Sequence, residues 1–300
     1  MKSYPQETKG IPLGDPLSKK PIKIPGVKWT LVIVPIAYIV MLLGISLFGL
    51  LKLSVFGDSG FTFEYITRFF TQKVYSEVLI NTFKIAFYVT FFCLLLGYPV
   101  AYALTKIESR NWKSAIFGII LVSFWISLLV RTFTWMILLR SNGVVNSLLM
   151  GLGIIDKPID LLYNTTGVVV GMVHILLPYM ILSLYAVMES IDTRLLQAAQ
   201  GLGARPWKAF IQVFFPLSLP GVLSGSLIVF VLGLGYFITP ALLGGTENLM
   251  VSQLIHDQVN IVLNWNFAAA ISIILLIVTL VFLSISAVIT KKYTAIGGGN

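Results

Sequence analysis

Residues 29–51 read WTLVIVPIAYIVMLLGISLFGLL, a run of 23 residues without a charged side chain that follows Lys28 and precedes Lys52. Folded as an α-helix, this run is about 34 Å long at a rise of about 1.5 Å per residue. That length is enough to cross a bilayer hydrocarbon core of about 30 Å. The sequence therefore predicts a membrane-spanning helix at residues 29–51.

Five further apolar stretches follow, each bounded by charged or turn-forming residues. They cover residues 79–104, 114–139, 166–188, 220–243 and 267–290. Together the six runs predict an all-α integral membrane protein with six transmembrane helices in a domain of residues 29–290. Residues 1–28 are polar, contain several prolines and lack the apolar core of a cleavable signal. They are predicted to form a disordered tail, and residues 291–300 a second tail.

The composition excludes an ordinary soluble enzyme. Of the 300 residues, 57% are hydrophobic and 11% are charged, whereas soluble domains carry about 25% charged residues. The net charge of +9 is explained by the positive charge that cytoplasmic loops of membrane proteins collect, so no nucleic-acid partner is expected. The single cysteine, Cys93, excludes an intrachain disulfide or a thiolate metal cluster, and the two histidines lack metal-site spacing.

The distribution of lysine and arginine predicts the orientation. With the N-terminus in the cytoplasm, the inner segments hold 14 of these residues and the outer segments hold five. Because positive residues are retained on the cytoplasmic side, both termini are predicted to be cytoplasmic. The outer loops are then residues 52–78, 140–165 and 244–266, and the inner loops are residues 105–113 and 189–219.

The last inner loop has the pattern of a helical hairpin. Residues 191–221 read IDTRLLQAAQGLGARPWKAFIQVFFPLSLPG, in which Asp192 is a suitable N-cap and Pro206 suits the first turn of a second helix. Gly203 is predicted to separate the two helices. Their apolar faces either lie against the membrane and the protein's own helix ends or insert into a groove of a partner. Periodicity alone leaves both possibilities open.

The spacing within this loop resembles the EAA loop of ABC importer permeases. Gln197, Ala198 and Ala199 are followed after three residues by Gly203, and after nine more by a segment that ends at Pro216. The resemblance implies that residues 191–216 couple this chain to an ATP-binding subunit. Gln197 replaces the glutamate of the family pattern, so a charge-assisted hydrogen bond at this position becomes a neutral bond of roughly half the strength.

Other segments resemble the spermidine/putrescine-type permeases of that superfamily over about residues 78–290. These segments are residues 81–83, 95–104, 128–135, 171–179 and 237–245. The resemblance implies the type I importer permease fold and a location in the bacterial inner membrane. The implied partners are an ATP-binding subunit, a second permease subunit that is a different chain, and an extracytoplasmic solute-binding protein. The chain has no Gly-Lys dipeptide and therefore no Walker A motif, so ATP and Mg²⁺ are expected on the partner ATPase, with no catalytic site or cofactor in this chain.

Charged residues within the predicted spans are functional candidates. All 12 acidic residues fall in predicted loops or tails, and the intramembrane cations are Lys84 and Arg131. Lys84 lies near the outer end of its span, where its ammonium can reach the interface. Arg131 lies deeper and has either a role in a pathway or gate or a structural bond to a helix carbonyl. The predicted translocation path consists of Arg131, Trp135, Tyr236 and Thr239.

The resemblance implies a permease subunit that moves a small polar solute, a polyamine such as spermidine or putrescine, by alternating access driven by a separate ATPase. A polyamine finds no carboxylate within the spans of this chain, so aromatic faces or carboxylates of the second permease would have to offset its charge. A related solute of the opine or amino-acid type is the alternative. An ATP-independent carrier or channel would be expected to show internal repeats or membrane carboxylates, and a subunit without transport activity remains a third possibility.

Small residues in the fifth predicted span indicate close helix packing. Gly221 and Gly225 are separated by three residues, a small-xxx-small pattern that lets the backbones of two membrane helices approach each other.

Overall fold

The computed structural model describes residues 27–57 and 60–297. The predicted N-terminal tail therefore lies outside the described residues, apart from Val27 and Lys28. The chain divides into two compact units, residues 1–49 and residues 50–300, and the site and its packing belong to the second.

Within the described ranges the chain is helical apart from two short strands that pair with each other. The elements, in chain order, are α1 (Val27–Val55), β1 (Phe56–Gly57), β2 (Gly60–Phe61), α2 (Glu64–Thr71), α3 (Lys73–Lys106), α4 (Arg110–Trp125), α5 (Leu128–Leu139), α6 (Val144–Gly151), α7 (Thr165–Met188), α8 (Thr193–Gly201), α9 (Pro206–Ala209), a π-helical turn (Phe210–Phe214), α10 (Phe215–Leu234), α11 (Ile238–Leu243), a 3₁₀ turn (Thr246–Asn248), α12 (Val251–Asn260) and α13 (Trp265–Gly297). β1 and β2 are antiparallel, with Phe56 opposite Phe61.

Five helices in the part of the chain that the structure describes are long and apolar enough to cross a membrane, or six if the bent pair of α4 and α5 counts as one span. The predicted spans at residues 29–51 and 166–188 correspond to α1 and α7. The span predicted at residues 79–104 is longer, since α3 begins at Lys73. The C-terminal tail predicted at residues 291–300 requires a correction, because α13 continues through Gly297.

The spans predicted at residues 114–139 and 220–243 are not single helices. α4 ends at Trp125 and α5 begins at Leu128, and the helical segments on either side are bent by 98°. Ile126 and Ser127 have extended backbone (ψ of 129° and 134°), which interrupts the helical hydrogen bonds. Neither residue is glycine or proline, so the sequence carries no breaker signal there. The fifth span begins earlier than predicted, at Phe215, and is interrupted between Leu234 and Ile238.

The core of the second unit is formed by α3, α7 and α10, which pack on one another. α10 approaches α7 at the two glycines of the predicted ridge. A Cβ atom at Gly221 would lie 2.9 Å from Val187 Cβ, and one at Gly225 would lie 2.8 Å from Met180 Sδ. The structure therefore confirms that this ridge is used for close packing, and it leaves no room for a side chain at Gly221.

In the N-terminal part of α3, two side chains hold the segment at the start of α12. Thr82 Oγ1 accepts a hydrogen bond from Val251 N at 2.9 Å. Asn81 Nδ2 donates to the carbonyl oxygen of Leu249 at 3.1 Å. Thr82 is buried, so this connection between α3 and the predicted outer loop at residues 244–266 lies inside the protein.

Replacing Gly221 with isoleucine is expected to destabilise the protein, because the new Cβ would overlap Val187 and would also lie 3.5 Å from the Cα of Leu184. Overpacking of this kind costs about 1–3 kcal/mol. The measurement is the midpoint of thermal unfolding in detergent, followed by fluorescence-detected gel filtration. Gly118→Ile is the control, since no heavy atom lies within 4 Å of a Cβ at Gly118. Equal midpoints for the two variants would contradict the packing argument.

Candidate functional site

The loop between α7 and α10 folds as the predicted hairpin. Asp192 caps α8, with its Oδ1 accepting from Arg194 N at 2.8 Å. After α8 the chain passes through Gly203, whose φ of +91° is favoured by glycine. Gly203 N donates to Gln200 O at 2.9 Å, and Ala204 N donates to Ala199 O at 3.1 Å. This pair of bonds is a Schellman motif, which ends α8. The motif requires the positive-φ residue to lie four positions after Ala199, and Gly203 is at that position.

The loop has an anchored side and an exposed side. Leu196 and Ala209 are buried, and Leu196 belongs to the main hydrophobic core. On the other side Gln197 and Ala198 are exposed. The turn that follows presents Leu202 at 90% exposure, which leaves an apolar surface beside the motif residues. Such a surface is suited to docking another protein.

A π-helical turn connects this loop to α10. Trp207, Phe210, Ile211 and Phe214 recur at i, i+3, i+4 and i+7 in the sequence. Phe214 is buried in this chain, whereas Trp207 and Ile211 are exposed (60% and 49%). The wider turn over Phe210–Phe214 changes the register and stacks the rings of Phe210 and Phe214 at 5.6 Å. π-Helical turns are often found at functional sites.

These two phenylalanines meet two tyrosines of α3, and the four rings form an aromatic cluster: Tyr98, Tyr102, Phe210 and Phe214. The ring of Tyr102 lies 5.1 Å from that of Phe210 and 4.9 Å from that of Phe214, both edge to face. The ring of Tyr98 lies 6.2 Å from that of Phe210. Edge-to-face pairs contribute about 0.5–1.5 kcal/mol each beyond area burial. The aromatic cluster therefore ties the loop to the C-terminal end of α3.

A buried hydrogen bond extends this contact to α10. Ser218 Oγ donates to Phe215 O at 2.8 Å, which leaves the Tyr98 hydroxyl to donate to Ser218 Oγ at 2.8 Å. Pro216, the last residue of the predicted motif, lies in the first turn of α10. It is therefore separated from the exposed turn at Gly203 by α9 and the π-helical turn.

The four residues of the predicted path lie at the two helix breaks. Arg131 and Trp135 are on α5, Tyr236 is between α10 and α11, and Thr239 is on α11. Thr239 is fully buried, and its hydroxyl lies 3.3 Å from that of Thr132. Arg131 lies within electrostatic range of Tyr236, so α5 and the α10–α11 break meet around these side chains. Their predicted contact with solute stays a prediction.

An aromatic contact to α7 completes this region. The rings of Trp135 and His174 are 5.7 Å apart, edge to face, in keeping with the packing role expected for a membrane histidine. The sequence analysis did not predict that Tyr98 and Tyr102, near the C-terminal end of α3, anchor the loop. Their i, i+4 spacing, which matches the spacing of Phe210 and Phe214, is the signal that could have revealed it.

Replacing Tyr98 with phenylalanine is expected to lower the free energy of unfolding by about 1 kcal/mol, because it removes one buried hydrogen bond and keeps the ring. Thermal unfolding in detergent measures this as a lower midpoint temperature. Tyr88→Phe on the same helix is the control, since Tyr88 is exposed and no hydrogen bond of its hydroxyl is found among the described side chains. A midpoint for Tyr98→Phe as high as that of the control would refute the role of the bond.

The sequence of this chain is similar to those of known permease proteins. The chain is 37% identical over 236 residues to the spermidine/putrescine transport system permease protein PotB of Escherichia coli (strain K12), covering 77% of this chain and 85% of the relative. It is 36% identical over 212 residues to PotB of Haemophilus influenzae, covering 71% and 73%.

Solved structures share the fold. A chain of a bacterial alginate ABC transporter, in complex with an alginate pentasaccharide-bound periplasmic protein, matches with a TM-score of 0.72 at 18% identity, covering 89% of this chain and 96% of that chain. A chain of the MetNI methionine ABC transporter in an inward-facing conformation matches with a TM-score of 0.54 at 19% identity, covering 71% and 93%. The fold is that of type I ABC importer permeases.

The family model described as "Binding-protein-dependent transport system inner membrane component" matches residues 29–294, which include both broken spans and the whole loop between α7 and α10. The chain belongs to this family of inner-membrane transport subunits.

Proposed function

We propose that this permease subunit imports a polyamine of the spermidine or putrescine type and that a separate ATPase drives the import. The observation that carries the proposal is the loop of residues 191–216, which exposes Gln197 and Ala198 beside an apolar turn and is anchored to α3 and α10 through the aromatic cluster. Identity to spermidine/putrescine permeases over more than two thirds of the chain supports the solute class.

In this proposal ATP and Mg²⁺ are bound by the partner ATPase, and this chain holds no cofactor. The exposed side of α8 and the turn at Gly203 bind to the ATPase. Closure of the ATPase moves the loop, and the loop moves the inner ends of α3 and α10 because Tyr98, Tyr102 and Ser218 connect them. These movements switch the path between outward-facing and inward-facing states.

The other proposed partners are a second permease subunit, which is a different chain, and an extracytoplasmic solute-binding protein. The fold supports these kinds of partner, since a similar transporter was solved with its periplasmic protein. Both termini of this chain are cytoplasmic in the proposal, because 14 of its lysines and arginines then lie in inner segments and five in outer segments.

The direct test is uptake of labelled spermidine and putrescine by proteoliposomes that contain the complete complex and the solute-binding protein. Uptake is expected to require ATP inside the vesicle and to be competed by unlabelled polyamine. Uptake that persists without ATP would favour a carrier or channel. ATP hydrolysis that responds to an opine or amino acid and not to a polyamine would move the assignment to the alternative solute class.

Replacing Gly203 with valine is expected to reduce ATP-driven uptake by roughly tenfold or more, because a β-branched residue at this φ carries about 1–3 kcal/mol of strain. The strain opens the turn that presents the docking surface. The amount of protein inserted in the membrane is expected to stay unchanged.

The control for this variant is Gly201→Val. Gly201 is in the same loop, and at both glycines a Cβ atom would meet no heavy atom within 4 Å, but the φ of Gly201 is ordinary. Uptake by Gly203→Val at the rate of Gly201→Val would count against the docking role of this turn.

A further inference from the structure

Arg131 is a guanidinium without a counter-charge in the membrane region of the chain. Its Nη1 donates to Ser123 Oγ at 3.4 Å, and its buried Nε has no hydrogen-bond partner among the described residues. The ion pairs found in the described ranges, Lys73 with Glu77 and Lys113 with Glu189, do not involve it. An arginine carries five N–H donors and stays charged in proteins, so most of its bonding capacity is unused.

The neighbours of Arg131 do not supply a negative charge. Ser123 is on α4, and the charge of Arg131 also acts on His174 of α7 and on Tyr236 at the α10–α11 break. These side chains are neutral partners. Arg131 as a whole is partly exposed, but its buried Nε lacks a partner, which is unfavourable for a polar group, and charged residues within a membrane pair with one another or face a cavity.

No carboxylate of the described residues is paired with Arg131. The 12 acidic residues all lie outside the six predicted spans, and Glu77, which the longer α3 includes, is paired with Lys73. The proposed solute is a cation, so it would be repelled by Arg131 and cannot neutralise it. A carboxylate of another protein that reaches the membrane region would supply the missing charge, and in the proposed importer the second permease is that protein.

We propose that Arg131 pairs with an intramembrane carboxylate of the second permease subunit, and that the ammonium groups of the solute compete with Arg131 for this carboxylate. This inference rests on the proposed function. The pair closes the path between the two permeases in the absence of solute. A polyamine releases it by taking over the carboxylate, whereas a neutral solute of the same length has no group that replaces a guanidinium. Arg131 is in this way a specificity-determining residue.

Charge reversal tests the pair in the complete complex. Arg131→Glu is expected to reduce spermidine uptake by roughly tenfold or more, because two carboxylates would then face each other. Each aspartate and glutamate in the predicted spans of the second permease is changed to arginine in the same background. One of these changes is expected to restore uptake to within roughly threefold of the wild-type rate.

Lys84→Glu is the matched control, since Lys84 is the other cation within a predicted span and its side chain is exposed. The reversal that rescues Arg131→Glu is expected to give no rescue when it is combined with Lys84→Glu. Rescue of both variants by the same reversal would indicate a general charge effect and overturn the proposal, as would the absence of any rescuing reversal.

Arg131→Gln tests the competition and covers the case in which the reversed variant does not assemble. Without the guanidinium the carboxylate is free for the solute, so the KM for spermidine is expected to fall, and ATP hydrolysis without solute is expected to rise because the path is no longer held closed. A structural role alone would lower the yield of the complex without lowering KM. An unchanged or higher KM in an assembled complex would refute the competition.

The wild-type complex separates this inference from the proposed function. If it shows no ATP-driven spermidine uptake, the assignment of the solute is wrong. If it takes up spermidine but the Arg131 variants behave like wild type, the assignment stands and the pair does not exist.

Discussion

In the hydrocarbon of a bilayer an unpaired backbone group has no water to bond with, and the arrangement of this chain depends on that constraint. The long helices α3, α7 and α10 satisfy most of their own backbone groups, apart from the bonds removed by Pro99, Pro178 and Pro220, and they pack closely where Gly221 and Gly225 meet α7. Two spans, α4–α5 and α10–α11, are interrupted. Trp125 and Ile126 at the first break are exposed in this chain (90% and 43%), whereas Thr239 and Pro240 at the second break are buried. Polar side chains lie near these breaks, in the region predicted as the translocation path: Ser123 beside Arg131, and Thr132 beside Thr239.

The loop of residues 191–216 shows how the spacing of a short sequence motif follows from backbone geometry. A helix that ends in a Schellman motif needs a residue with positive φ four positions after the carbonyl that receives its final bond. Ala199 and Gly203 fill these two positions. The same turn brings Leu202 to the surface, so the residues that end α8 also shape the surface proposed to meet the ATPase.

Much of the fold could be predicted from the sequence, because long uncharged runs have few other ways to be buried. The ends of α7, the capping by Asp192 and the turn at Gly203 follow from local signals, whereas α1 extends from Val27 to Val55, beyond both ends of its predicted span. The break at Ile126 and Ser127 could not be predicted, since neither residue disfavours a helix strongly. The π-helical turn could not be predicted either. Regular α-helical periodicity places Trp207, Ile211 and Phe214 on one face, whereas Trp207 and Ile211 are exposed in the structure and Phe214 is buried.

The length of α3 has a mechanical consequence. Thr82 holds the segment before α12 at one end of this helix, and Tyr102 meets the aromatic cluster at the other. The two residues are 20 positions apart, which in an α-helix corresponds to about 30 Å. An α-helix resists compression along its axis, so Thr82 and Tyr102 are held at a nearly fixed distance by α3. In the proposed importer, a small axial displacement of the loop of residues 191–216 would reach the segment before α12 with little loss, without any chain of rearranging side chains between them.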